Sequence, residues 1–208
     1  MYGTTRSAET ADRLHSRGVV PVPVDVFDRD RLIDVLAEIR PTHVMHQLTD
    51  LPKILHGPLT PADLARNARI REEGTANLVR AAQLAGVERF VAQSIAFAYA
   101  PVTPPYDERA LLLPTATAVA TLERLTLEGP HDGVVLRYGR LYGPGTWTDT
   151  SPPDVWLHVE AAADAARRAL TRGDPGIYNI AEPGGNVSID KARTALGWDP
   201  AFRLTLRA

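Results

Sequence analysis

Apolar positions along the chain alternate between two periods. Short β-branched or apolar runs at 1–5, 19–24, 42–48, 89–94, 133–138 and 177–181 read as strands. Between them lie stretches with apolar residues at helical spacing, the clearest being Leu32, Ile33, Val35, Leu36 and Ile39. Helix boundaries are marked as well. Ser7 stands as an N-cap with Glu9 in the first turn, and Gly18 ends that helix. Asp28 caps the next one. Thr60-Pro61-Ala62-Asp63 joins a cap, a proline at the first helical position and an acid at the third, which predicts a helix from there to residue 85, stopped by Gly86. Further helices are expected over 115–128, 158–171 and 189–196. The segments 50–59 and 100–114 read as loops, and Gly143-Pro144-Gly145 as a turn. Pro21 and Pro23 cannot donate to a ladder, so the strand at 19–24 belongs at an edge. The repeated strand–helix alternation predicts an α/β fold, a doubly wound parallel sheet with helices on both faces.

Composition narrows the class. A length of 208 residues suits one domain, with residues from about 147 onward forming a small C-terminal substrate lobe. With 44% hydrophobic and 23% charged residues, wholesale disorder is excluded. No apolar run approaches the roughly 18 residues of a spanning helix. No basic-then-apolar leader opens the chain, so a cytoplasmic protein is expected. The absence of cysteine removes disulfides, thiolate metal sites and Cys nucleophiles. A net charge of −2 argues against nucleic acid or an anionic membrane as partner and leaves a small molecule. Lys53 and Lys191 are the only lysines, so a mechanism that needs one has two candidates. No histidine spacing suits a metal, and no Gly-x-Ser-x-Gly elbow suggests a hydrolase.

Five runs, EEGTANLVRAAQLAGVERFVAQSIAFAYAP, VVLRYGRLYGPGTW, HVEAAADAARRAL, GIYNIAEP and KARTALGWDPAF, follow one another in the order found in extended short-chain dehydrogenase/reductases. The chain thus resembles the NAD-dependent epimerase/dehydratase-like proteins over nearly its whole length. The resemblance implies a Rossmann-like sheet with a nucleotide at the carboxyl ends of its strands. It further implies a small C-terminal lobe for a substrate such as a nucleotide sugar or another small carbonyl or hydroxyl compound, and a homodimer as one assembly.

Three departures shape the functional expectation. The family opens with a strand and a glycine-rich turn that holds a pyrophosphate at a helix N-terminus, and no G-x-G-x-x-G or G-x-x-G-x-x-G occurs here. The chain starts at what resembles the second strand. Either upstream sequence has been lost or the fold is reduced; in the latter case the strands at 1–5 and 42–48 would pair directly, or a second chain would cover the gap. The family's Tyr and Lys, four residues apart, fall on Thr115 and Val119 when counted back from Glu123. Neither can take the role, because a Lys is needed to lower the Tyr pKa for proton transfer. The linkers at 147–158 and 185–190 are short and leave little to wall a nucleotide-sugar site.

Site candidates follow from position. Ser94 ends a strand where the resemblance places a catalytic hydroxyl. Tyr99 carries a phenol that could partly replace the missing one, His46 a neutral-pH base or acid, and Glu108 a loop carboxylate. Gln93, Tyr138 and Tyr142 are expected to line the substrate pocket. If a nucleotide binds, Arg6 would pair with a 2′-phosphate, implying NADP, and Asp25 with Val26 would touch the adenine. The loss of both redox elements favours a cofactor-independent enzyme that isomerises, cyclises or dehydrates a small metabolite by proton transfer. An NADP-dependent reductase or epimerase with a lost N-terminus, and a non-catalytic ligand-binding or regulatory protein, are the alternatives.

Overall fold

The computed structural model describes residues 1–52, 54, 57–151 and 155–204. Lys53 lies outside the described residues. The elements are β1 (Tyr2–Thr5), α1 (Ala8–Ser16), β2 (Val20–Pro23), α2 (Arg29–Ile39), β3 (His43–His46), α3 (Pro61–Arg69), α4 (Thr75–Leu84), β4 (Arg89–Ile95), α5 (Thr117–Leu127), β5 (Asp132–Tyr138), β6 (Arg140–Tyr142), β7 (Trp156–His158), α6 (Val159–Ala169), β8 (Gly176–Ile180) and α7 (Asp190–Leu196). Their starts follow local chemistry. Ser7 and Asp28 accept from the backbone N–H groups of Thr10 and Arg31 at the first turns of α1 and α2. Thr60 and Asp63 close a reciprocal capping box at α3.

The main sheet is four-stranded, parallel throughout, in the order β3-β4-β5-β8. Its central strands are buried on both faces, and β4 distributes its side chains between two cores. Phe90 and Ala92 pack with Leu32, Val35, Leu36, Leu78, Ala81 and Leu122. Val91, on the other face, joins Leu136, Tyr178, Ile180, Leu196 and the alanines of α6. That alternation is the doubly wound arrangement the pattern predicted. Tight contacts hold the layers: a Cβ on Gly133 would sit 2.1 Å from the Thr126 carbonyl oxygen, so only glycine lets β5 approach the end of α5 this closely.

Three local readings change. The helix expected over 60–85 is interrupted by a π-helical turn, Ile70–Gly74, between α3 and α4. The helix expected from 158 begins at Val159 with His158 as its N-cap, but it is preceded by β7, which pairs with β6 in a separate two-stranded sheet that was not expected. Both strands are three residues long, too short to carry a period. Thr115 precedes α5 and is exposed, so it lies off the helix.

The sheet is also split. β1 and β2 pair in parallel with each other and with no strand of the main sheet. The direct pairing of the first strand with the strand after Thr42 does not occur. The residues after β2 pack against the helices instead. Val24 and Val26 at the end of β2 are part of the α2–α4 core, the Asn77 amide on α4 donates to the Val26 carbonyl at 3.0 Å, and the Arg69 guanidinium stacks 3.8 Å over the Phe27 ring. β1 and β3 pair with different strands, and Tyr2 and Met45 are exposed. β2 is an edge strand, as its prolines require.

Candidate functional site

Strand register places Ser94 of β4 opposite Arg137 of β5, and Arg137 opposite Asn179 of β8. Opposed residues share a face, so the three side chains form a row across the sheet near the carboxyl ends of its strands. Glu123 comes onto this row from α5, and Tyr99 and Glu108 from the segment after β4. Arg137 donates two hydrogen bonds to Glu123, Nε to Oε1 at 2.8 Å and Nη2 to Oε2 at 2.7 Å. Ser94 Oγ donates to the same Oε1 at 2.6 Å. A third guanidinium bond, from Nη1, reaches the Tyr99 hydroxyl at 2.8 Å, and that hydroxyl donates to Asn179 Oδ1 at 2.6 Å. Glu108 Oε1 accepts from the Asn179 backbone N–H at 2.9 Å. Of the four sequence candidates for proton transfer, Ser94, Tyr99 and Glu108 are thus brought together.

The ion pair at the centre is deeply buried, with the Arg137 and Glu123 side chains 4% and 6% exposed. Burial alone would disfavour the guanidinium, but the hydrogen bonds and charge of Glu123 outweigh it and push the Arg137 pKa up. For Tyr99 burial dominates and raises its pKa, only partly offset by Arg137 and Asn179. A phenol so held gives up its proton reluctantly at neutral pH. Its oxygen already accepts one hydrogen bond and donates another. The Ser94 hydroxyl is equally committed, with its proton on a carboxylate that is itself paired.

The remaining candidates lie apart. His46 is buried edge-on against Phe90. Its Nδ1 accepts from the Leu48 N–H, which assigns the ring proton to Nε2, 2.8 Å from Thr75 Oγ1. Desolvation lowers its pKa to about 4, so it is neutral and weakly basic. Tyr138 is buried in the opposite core and donates to the Ala162 carbonyl, while Tyr142 pairs with Glu182. Gln93 neighbours Ser94 on the strand and therefore faces the other side. Arg6 and Asp25 face each other at 3.6 Å on the exposed rim beyond β1 and β2, and Val26 packs into the core behind them.

This rim stands where the family resemblance expects one end of a dinucleotide. Arg6 and Asp25 stand at the carboxyl ends of adjacent parallel strands, ion-paired with each other, and Asp25 Oδ1 also accepts from the Phe27 N–H. The other end is not matched. Among the described residues no glycine-rich turn leads from a strand into a helix N-terminus to cradle a pyrophosphate, and the α1 N-terminus is capped by Ser7. Nor do the described residues group three or more possible metal ligands. No helix among them is long and apolar enough to cross a membrane.

Comparison with known proteins now adds to the geometry. The family model "NAD dependent epimerase/dehydratase family" matches residues 2–155. The chain belongs to this family. A "3-diazoavenalumate denitrifying reductase" from Streptomyces sp is 48% identical over 216 residues, spanning 90% of this chain and 68% of that protein. Among solved structures, a UDP-glucose 4-epimerase with UDP-glucose from Thermotoga maritima superposes with a TM-score of 0.74 at 16% identity, over 97% of this chain and 94% of that one. A UDP-glucose 4-epimerase complex with NAD from Thermus thermophilus superposes with a TM-score of 0.69 at 19% identity, over 98% and 95%. At such identities the two structures speak for the shared fold. The curated relative is named a reductase, and nothing in the comparisons supports a non-redox isomerase or a cofactor-free protein.

For an epimerase/dehydratase-family chain, the network holds residues that position alone did not single out as chemical. Arg137 sits inside an otherwise apolar run, Val134 to Tyr138, and Glu123 lies between the buried Leu122 and Thr126 on α5. A charge at a position the period assigns to the core is the signal that finds both, since buried charges require partners. Asn179, polar but uncharged in the otherwise apolar β8, is found by the related signal of a buried polar group that needs a partner.

Proposed function

We propose that this protein is a nicotinamide-nucleotide-dependent reductase that replaces the diazo group of a small aromatic carboxylate by hydrogen. The observation that carries the reading is the 48%-identical relative, whose name joins a diazo group, a carboxylate and reduction. The site's chemistry agrees. Where a carbonyl is reduced, a proton donor must meet the developing oxyanion, the task of a Tyr beside a Lys. Val119 and the exposed Thr115 offer no such donor. Loss of a diazo group as N2 creates no oxyanion: the carbon–nitrogen bond breaks with its electron pair leaving on nitrogen, a carbon–hydrogen bond forms, and an arenediazonium plus hydride gives arene plus N2. A reduced nicotinamide supplies that hydride when bound.

The chain's own residues then bind and orient. Arg6 and Asp25 would hold the adenosine end of the nucleotide, with Arg6 favouring a 2′-phosphate and so NADP, whereas Val26 is packed in the core and cannot touch the adenine as expected. The Ser94–Glu123–Arg137–Tyr99 network would form a rigid floor with its hydroxyls locked in place, which suits positioning better than proton transfer. Ser94 and Tyr99 tied in this way also speak against the cofactor-free isomerase.

The test is turnover of an arenediazonium carboxylate with NADPH or NADH. The expected result is loss of nicotinamide absorbance, a product in which N2 is replaced by hydrogen, and transfer of deuterium from labelled reduced nicotinamide to the ring. Rearranged product formed without any nicotinamide would overturn the reading in favour of proton-transfer chemistry.

A further inference from the structure

Large apolar rings are costly to leave in water, and this chain leaves few there. It holds four phenylalanines and three tryptophans, all among the described residues. Phe90 and Trp198 are buried, and Phe27, Trp156 and Phe202 are half-buried. Phe97 and Trp147 are exposed, by 36% and 44%. Neither ring joins either apolar core, so packing does not account for them. Both stand on segments that leave the carboxyl ends of the main sheet, where α/β folds take their ligands.

Phe97 lies in the turn directly after β4, the strand that closes on Ser94 and Ile95. That turn is tied to β5. The Ala96 N–H donates to the Tyr138 carbonyl at 2.8 Å, extending the ladder that sets Ser94 opposite Arg137. The Arg140 guanidinium lies over the Phe97 ring, 4.1 Å from its centre. A cation so placed holds the ring by one face, and the exposed surface of Phe97 is then its other side. Trp147 is held as well, with Nε1 donating to the Pro52 carbonyl at 3.0 Å. Pro52 follows β3 and Trp147 follows β5 and β6, and β3 and β5 are the two neighbours of β4 in the sheet. The bond therefore bridges the strands that flank β4, at the end from which Phe97 emerges.

We propose that Phe97 is the platform on which the planar ring of the substrate stacks, at the end of the Ser94 strand and beneath the Trp147–Pro52 bridge. This rests on the aromatic carboxylate read above as the substrate, and it names the residue that selects for a flat ring. Aromatic pairs gain from offset or edge-to-face contact beyond the area they bury. A saturated ring of the same size buries a similar area without that gain.

Calorimetric titration with trans-cinnamate and with trans-3-cyclohexylacrylate, in excess NADPH, tests it. The two acids share a carboxylate and a linker and differ in the flatness of the ring. The expected result is that cinnamate binds about two- to tenfold tighter. Phe97→Leu keeps apolar bulk but removes the ring, and should abolish that ratio; Phe97→Tyr should keep it. Trp147→Leu should weaken both acids, and unchanged binding there overturns the part given to the bridge. Equal binding of the two acids, a preference for the saturated one, a ratio that survives Phe97→Leu, or no binding of either acid overturns the platform. Far-UV dichroism checks that the variants fold; should Phe97→Leu not fold, the ratio in the native protein and in Phe97→Tyr decides. A ratio that depends on Phe97, without any diazo reduction, leaves this proposal standing and removes the proposed reaction. Diazo reduction by Phe97→Leu with an unchanged KM for the arenediazonium carboxylate does the reverse.

Discussion

Replacing Glu123 by Leu should cost this protein a large part of its stability, and the reason lies in the company that residue keeps. The Arg137 side chain is 4% exposed and directs two of its hydrogen bonds at Glu123. In Glu123→Leu the guanidinium stays buried with Tyr99 as its strongest remaining partner, and the Ser94 hydroxyl loses its acceptor. Removing one member of a buried pair costs about 3–5 kcal/mol, and an orphaned hydroxyl adds about 1 kcal/mol or more. For a chain of this length 1 kcal/mol corresponds to about 2–4 °C, so the melting temperature should fall by about 10 °C or more. Arg137→Met should be comparably severe, since it strands the carboxylate. The double variant should be much milder than the two losses added together, because no uncompensated charge remains. Urea melts of all four proteins by far-UV dichroism give the coupling directly, provided the slopes agree. Additive losses, or single losses under about 1 kcal/mol, would refute the claim that the pair is a mutually dependent buried unit.

Three further outcomes follow from the same coordinates. His46, with its pKa lowered by burial to about 4 against an ordinary 6.5, binds its proton more readily in the unfolded chain. Its contribution is therefore full above pH 6.5, drains away as the pH falls toward 4 and is flat below. The total is about 3 kcal/mol, and His46→Gln should flatten that part of a urea-midpoint profile. Gly133→Ala drives a methyl group to 2.1 Å from a backbone oxygen of α5 that cannot move aside, and should cost about 3 kcal/mol in thermal melts. Thr60→Ala opens the capping box of α3 and should cost about 1 kcal/mol, visible as faster hydrogen exchange at the Asp63 amide.

Much of the architecture was legible from local signals. Caps at Ser7, Asp28 and Thr60 sit where side-chain oxygens meet free N–H groups, a chemistry confined to four residues. Prolines at 21 and 23 placed β2 at an edge for an equally local reason, the missing donor. The candidate site was legible in part. Ser94, Tyr99 and Glu108 were found as strand-end and loop groups, but their convergence was not, because it depends on the β4–β5–β8 register. His46 was read as a base or acid and lies in the core with both nitrogens engaged. Period and propensity say which face a residue takes, not what waits there.

Element order, parallel sheet class and family membership were contained in the order of residues, since each rests on spacing along one segment or on motifs in succession. Three matters belonged to the tertiary structure. The pairing of Arg137 with Glu123 joins residues on different elements, and only packing shows that neither is solvated. The π-helical turn at Ile70–Gly74 interrupts what the sequence there reads as unbroken helix. The split between β1 and β3, which belong to different sheets, is visible only once the strands are seen paired. In each case the deciding energy is a contact between segments far apart in the chain, which no local pattern encodes.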